Sequence, residues 1–245
     1  MSKRFKGKLC VYCAQSISSV GEHVFAREFF LPEHRNNLPK VPSCPKCNGA
    51  KSELEHYLSA VLPFGGRHAS AAENLSTLVP KRLENNHRLH RTLDAERTTA
   101  WSNESGLYRP TMVLPFNSEA LVALFAFIAK GLLWFHWRTY LTSDHFVEVI
   151  PLTKHGEKFF DEKFMRLRPR AHVTEDLGEG TFRYQGSQGI DVPQISVWKF
   201  SAFGGVVLGG DLNAPDEIST TIGVLTGPQS VRRNAELKIK FGVMA

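Results

Sequence analysis

Cys10-Val-Tyr-Cys13, Gly21-Glu-His-Val-Phe-Ala-Arg27 and Ser43-Cys-Pro-Lys-Cys-Asn-Gly-Ala-Lys51 belong to one continuous stretch, Cys10 to Leu58. All four cysteines of the chain sit here, as two Cys-x-x-Cys pairs with none left over. Each such knuckle aims two thiolates at one point, and two knuckles make a closed tetrahedral metal site. Zinc is the first ion for four thiolates and iron the second. Two disulfides or a redox pair are the competing readings. Disulfides suit small secreted domains, and no secretion signal is visible. The spacing therefore predicts structural zinc on Cys10, Cys13, Cys44 and Cys47.

Between the knuckles, Glu22-His23 runs into Val24, Phe25 and Ala26, which predicts a short strand. A polar loop from Leu31 to Pro39 follows, and Val41-Pro42 lead back to the second knuckle. From Asn48 onward, Leu54, Tyr57, Leu58, Val61 and Leu62 fall at helical spacing. The expected order is strand, loop, short strand, helix, with the zinc site pinning the strands to the helix start.

With its acidic residue and histidine on a first strand, an asparagine in the loop and Cys-Asn-x-x-Lys at the helix start, the stretch resembles the HNH endonucleases. These are the ββα-metal nucleases, here in their four-cysteine form. The resemblance covers about residues 8 to 62. It implies that His23 is the general base and that Glu22 and Asn48 hold one Mg²⁺ or Mn²⁺ through oxygen ligands. Asn37, or its neighbour Asn36, would brace the loop that carries His23. Arg27 and Lys51 would contact phosphates, as a fork and a point charge respectively. The implied reaction is hydrolysis of a DNA phosphodiester to 5′-phosphate and 3′-hydroxyl ends. DNA is favoured over RNA by the resemblance alone. Restriction, phage defence and mobile elements are settings to consider. The family more often carries Asp where this chain has Glu22, one methylene longer, which shifts where an ion would sit. Glu53, Glu55 and His56 lie close by as candidate further ligands, but helical spacing predicts a solvated face for them.

Composition bounds the rest. At 245 residues, 42% hydrophobic and 22% charged, the chain is an ordinary globular protein of one large domain or two small ones. Residues 1 to 110 hold 16 Lys/Arg against 10 Asp/Glu, while residues 111 to 245 hold 14 of each. The whole excess of +6 thus lies on and just after the cysteine module, where a polyanion would dock. The N-terminal Met-Ser-Lys-Arg-Phe-Lys-Gly-Lys run is basic with no apolar segment behind it, so a signal peptide is not expected and a cytoplasmic location is.

The division read from the sequence is a nuclease-like module over 1–66, a polar basic connector over 67–116 and an α+β domain over 117–245. Glu73 to Ala100 has weak helical character. Ala120 to Leu141 is the most apolar segment, long enough to suggest a membrane span. Lys130 in its middle, with His136 and Arg138 close behind, argues instead for a buried core helix capped by Asn117 or Ser118. Further on, the alternation predicts a strand over His145 to Ile150 and a helix over His155 to Leu167. Thr181 to Gln185 is expected to run into a Gly186-Ser-Gln-Gly189 turn, and Gln194 to Phe200 to form a hairpin with Phe203 to Leu208. Thr220 to Leu225 and Leu237 to Phe241 are expected to add strands. The fold class predicted is α+β: a zinc-stapled ββα domain, then a mixed C-terminal domain.

The function expected is a metal-dependent endonuclease without a membrane partner. Cutting both strands with one site per chain would take a homodimer or two visits. The rival from another class is a non-catalytic zinc module that binds nucleic acid or protein.

Overall fold

The computed structural model describes residues 4–104, 107–165, 171–210, 214 and 216–232. It is a mixed α+β chain with the four-cysteine cluster near its N-terminus. The strand expected over Leu237 to Phe241 lies outside the described residues.

Strand β1 (Val20–His23) pairs antiparallel with β2 (Lys40–Ser43), placing Glu22 opposite Val41 and His23 opposite Lys40. Helix α1 (Pro45–Val61) starts at once, with Cys44 as N-cap and Pro45 in its first turn. The strand ends at His23 and does not continue through Ala26 as the alternation predicted. Val24, Phe25 and Ala26 are all buried, which a period-two strand with one wet face does not allow.

Helix α2 (Ala69–Glu73), a π-turn over Asn74–Leu78, helix α3 (Val79–Asn85) and helix α4 (His87–Glu96) follow. The helical character expected over Glu73 to Ala100 thus ends at Glu96. Next come β3 (Thr98–Glu104) and β4 (Leu107–Val113), a two-stranded hairpin.

Helix α5 (Ser118–Trp137) is capped by Asn117, whose side chain accepts from the Ala120 N–H at 2.9 Å. It is long and apolar enough to cross a membrane. Leu121, Leu124, Phe125, Ile128, Ala129, Leu132 and Leu133 are nonetheless buried within the protein, as a core helix requires.

The remaining strands form one antiparallel sheet of order β5-β9-β8-β7-β6. They are β5 (His145–Thr153), β6 (Ala171–Leu177), β7 (Phe182–Gln188), β8 (Ser196–Ala202) and β9 (Ser219–Pro228). Helix α6 (Lys154–Phe160) lies between β5 and β6 in the chain. Two expectations are corrected here. Gly186 does not begin a turn: it lies inside β7 opposite Trp198, whose indole fills the space a Cβ would need. Phe203 to Leu208 does not pair with β8, whose neighbours are β7 and β9. Gly204, Gly205, Gly209 and Gly210 do turn the chain, with φ of +73°, +97°, +148° and +108°.

The sheet has two covered faces. Phe182, Tyr184, Trp198, Phe200, Ile222 and Val224 join the core formed by α5 and the N-terminal module. Leu152, Phe160 and Val197 form a smaller core under α6 on the other face. Phe25, Phe29 and Phe30 all pack on Phe182, with ring centroids 5.0–5.8 Å apart. The core therefore runs unbroken through the boundaries drawn at 66/67 and 116/117.

Candidate functional site

The four cysteine side chains converge, their sulfur atoms all within 4.8 Å of one another. Sulfurs around tetrahedral zinc stand roughly 3.8 Å apart at a Zn–S distance of about 2.3 Å, so a small closure completes the site. The first knuckle turns through Ala14 at φ +51°, and Ser16 N–H points at Cys13 Sγ at 3.5 Å. Such backbone donors stabilise thiolate, the form that binds metal. No disulfide joins these cysteines. The cluster is compatible with zinc.

Lys130, the cation in the middle of α5, reaches this cluster. Its ammonium donates to the Tyr12 carbonyl, inside the first knuckle, at 3.2 Å. Burial lowers its pKa, while the thiolates of Cys47, Cys13 and Cys10 raise it. A Zn(Cys)₄ centre carries a net charge of −2, so a cation at its flank compensates part of it.

Glu22 and His23 open onto a second feature, a cavity of about 210 Å³ shared with Ala26, Arg27, Glu28, Ser52, Glu55 and His56. Lys51, which is 0% exposed, bonds to three of these lining residues. The Lys51 ammonium donates to the His23 carbonyl at 2.8 Å, to Glu22 Oε1 at 3.4 Å and to Glu55 Oε1. One buried cation thus ties the first strand to the helix and holds two carboxylates beside it. The expectation that Lys51 contacts phosphate is corrected by this burial. Its charge is spent inside the protein.

The electrostatics follow from burial. Desolvation pushes Glu55 up to about 7; Lys51 opposes the shift, and Glu22 and Glu28 add to it. Glu22 is raised by burial too, again against Lys51. His23 is lowered to about 4 by burial and by the cations Lys40, Arg27 and Lys51. At neutral pH its imidazole is therefore neutral, with its nitrogen lone pair available.

The other expected site residues lie elsewhere. Asn37 is exposed, sits at φ +58° and borders a different cavity with Arg4, Lys40 and Arg138. Asn48 is in the first turns of α1, but is not among the residues lining the cavity of His23. Its Oδ1 is buried with no hydrogen-bond partner. Arg27 is exposed at the cavity wall, as a phosphate contact needs.

Of the candidate further ligands, Glu55 is buried and not on the solvated face expected for it, while His56 is exposed as expected and lines the cavity. The signal was present in the spacing Lys51–Glu55, one helical turn apart. What the spacing lacked was Glu22, which meets the same ammonium from a strand. Glu53 is exposed, as expected.

A carboxylate pair, a neutral imidazole and an arginine around one small cavity make an oxygen-donor site with a resident base. No family model, curated protein or solved structure matches the chain.

Proposed function

We propose that this protein is a metal-dependent endonuclease of the HNH type, hydrolysing DNA phosphodiester bonds in the cytoplasm. The observation that carries the reading is the convergence of Glu22, His23 and Glu55 on one cavity above a ββα unit that four cysteines bracket. The order of elements is the one the resemblance implies.

The donor set suits a hard divalent cation, since carboxylate oxygens are what Mg²⁺ and Mn²⁺ prefer. Glu22 and Glu55 would hold it, with Glu55 in the place that the resemblance gives to Asn48. When bound, such an ion supplies charge on the phosphate oxygens and at the leaving oxygen. His23 takes the proton of the attacking water; its lowered pKa keeps it unprotonated at neutral pH, and also makes it a weaker base than a free imidazole. Arg27, at the wall, offers two parallel donors to a phosphate. Lys51 holds both carboxylates and the His23 backbone in register.

One observation favours the rival reading of a non-catalytic zinc module. The ammonium of Lys51 already sits against both carboxylates, as a resident counter-ion. A supercoiled-plasmid assay decides between them. The full chain, His23→Ala and Glu55→Gln are each incubated with Mg²⁺, with Mn²⁺ and with neither. The expected result is metal-dependent nicking by the wild type that drops at least a hundredfold in His23→Ala. Zinc-loaded, folded wild type that binds the plasmid but cuts with neither ion overturns the nuclease reading.

A further inference from the structure

The largely exposed segment from α4 to β4 forms an arm that the cavity does not explain. The helix before it is fixed beside the cavity: Arg82 of α3 donates to the Ser59 carbonyl of α1 at 2.7 Å and to the carbonyl of Glu28, a cavity residue. Beyond that helix, α4 buries only Leu93 and leaves Arg88 and Arg91 exposed. The hairpin after it pairs Trp101 with Pro110 and Thr99 with Met112. Cross-strand partners share a face, and so do residues two apart on one strand. Trp101, Tyr108, Pro110 and Met112 therefore stand in one row.

That row faces solvent. Trp101 is 61% exposed, Tyr108 66% and Met112 50%. A lone two-stranded hairpin is marginally stable in water, and exposed apolar rows mark interaction sites. Exposed cations lie just before the hairpin in the chain, Arg88 and Arg91 on α4, while Arg109 on β4 is exposed on the opposite face from the rings. The chain's entire excess of positive charge lies in residues 1 to 110. Stacking rings flanked by cations are how proteins hold single strands without reading their sequence. A second copy docked on this face would bring the same cations toward one another, which like charge opposes.

We propose that this arm is a binding platform for single-stranded DNA, with bases stacked on Trp101 and Tyr108 and phosphates held by Arg88 and Arg91. The inference rests on nucleic acid being the substrate, and it names the form the arm takes up: an unpaired strand led toward the cavity that Arg82 adjoins. Stacking tolerates any base, so the arm supplies affinity and leaves sequence unread.

The test uses the full chain carrying His23→Ala, so that bound DNA stays intact, with and without Trp101→Ala/Tyr108→Ala. Fluorescence anisotropy follows a labelled 20-nucleotide single strand and the duplex of the same sequence. The double substitution should weaken single-strand binding at least tenfold and leave duplex binding within about threefold. Arg88→Ala/Arg91→Ala should instead flatten the salt dependence of single-strand binding, by about 0.7 in log–log slope for each phosphate that the arm no longer neutralises. The substituted side chains are exposed, so unchanged thermal melting certifies the fold. Single-strand binding that is absent, or unchanged in the Trp101/Tyr108 variant, overturns the proposal. So does a dimer in sedimentation that the same variant dissolves, which would assign the row to a second copy. Nicking that survives an arm failure leaves the nuclease reading standing. Strand binding through the arm without any cutting leaves the arm standing alone.

Discussion

Replacing Lys51 by Met removes the buried cation that Glu22 and Glu55 share. Lys51 and Glu22 are 3.4 Å apart. At an effective dielectric of about 20 that separation corresponds to roughly 5 kcal/mol of attraction per pair. Desolvation offsets part of it, and breaking a buried pair by removing one partner typically costs about 3–5 kcal/mol, because the other partner stays behind unpaired. Here two partners stay behind. The expected loss for Lys51→Met is therefore about 4 kcal/mol at pH 7.5, read from urea denaturation of zinc-replete protein. The cost should shrink at pH 5, where the carboxylates take up protons instead of standing charged. A second substitution, Glu55→Gln, should recover about half the loss by removing one of the stranded charges. If Lys51→Met costs under about 1 kcal/mol, or if Glu55→Gln adds to the damage, the electrostatic account of this buried cluster is wrong.

Cys44→Ser should abolish stoichiometric zinc and unfold the N-terminal module, since structural zinc supplies folding energy; retained metal with an unchanged melting profile would rule out the four-cysteine site. Lys130→Met should lower zinc affinity about tenfold or more in a chelator competition, as the loss of an outer partner does; an unchanged affinity means that the hydrogen bond to Tyr12 is packing alone. Glu55 has a folded pKa near 7, above its unfolded value, so it binds a proton in the folded state first. Its contribution is therefore fully present below about pH 4.3 and is lost as pH rises towards 7, by about 3 kcal/mol. Wild type should lose stability relative to Glu55→Gln across that window, and parallel pH curves for the two proteins would contradict the raised pKa. Gly186→Ala should cost about 3 kcal/mol in thermal unfolding, because its Cβ meets the buried Trp198 indole inside paired strands; a cost below about 1 kcal/mol would show that the indole can step aside.

The parts of the fold that were legible in the sequence are those encoded locally. Helix α5 announced itself through Asn117 and a long apolar run broken within the helix only by Lys130 and His136, and the knuckles announced the cysteine cluster through spacing alone. What was not legible depends on partners remote in the chain. Gly186 reads as a turn residue because glycine usually is one, yet its role is to make room for an indole on the next strand. Strand β8 finds its second neighbour in β9, across the glycine-rich turns, so local alternation suggested the wrong hairpin. The hairpin Thr98 to Val113 was hidden in a stretch read as polar connector, since its aromatic row exists only once register is known. Lys51 and Glu55 look like surface charges on a helical wheel. Only the crossing of β1 over α1 turns them inward toward Glu22.

The packing of Phe25, Phe29 and Phe30 on Phe182 bears on how such a protein can be inherited and rearranged. A cysteine-bracketed cassette invites the idea of a portable unit, moved between genes by recombination. Here its hydrophobic floor is a strand encoded far downstream. A graft of the first 66 residues onto a foreign scaffold would carry the metal ligands and leave three phenylalanines without a seat. Lineages descending from this architecture should therefore keep or lose the two halves together.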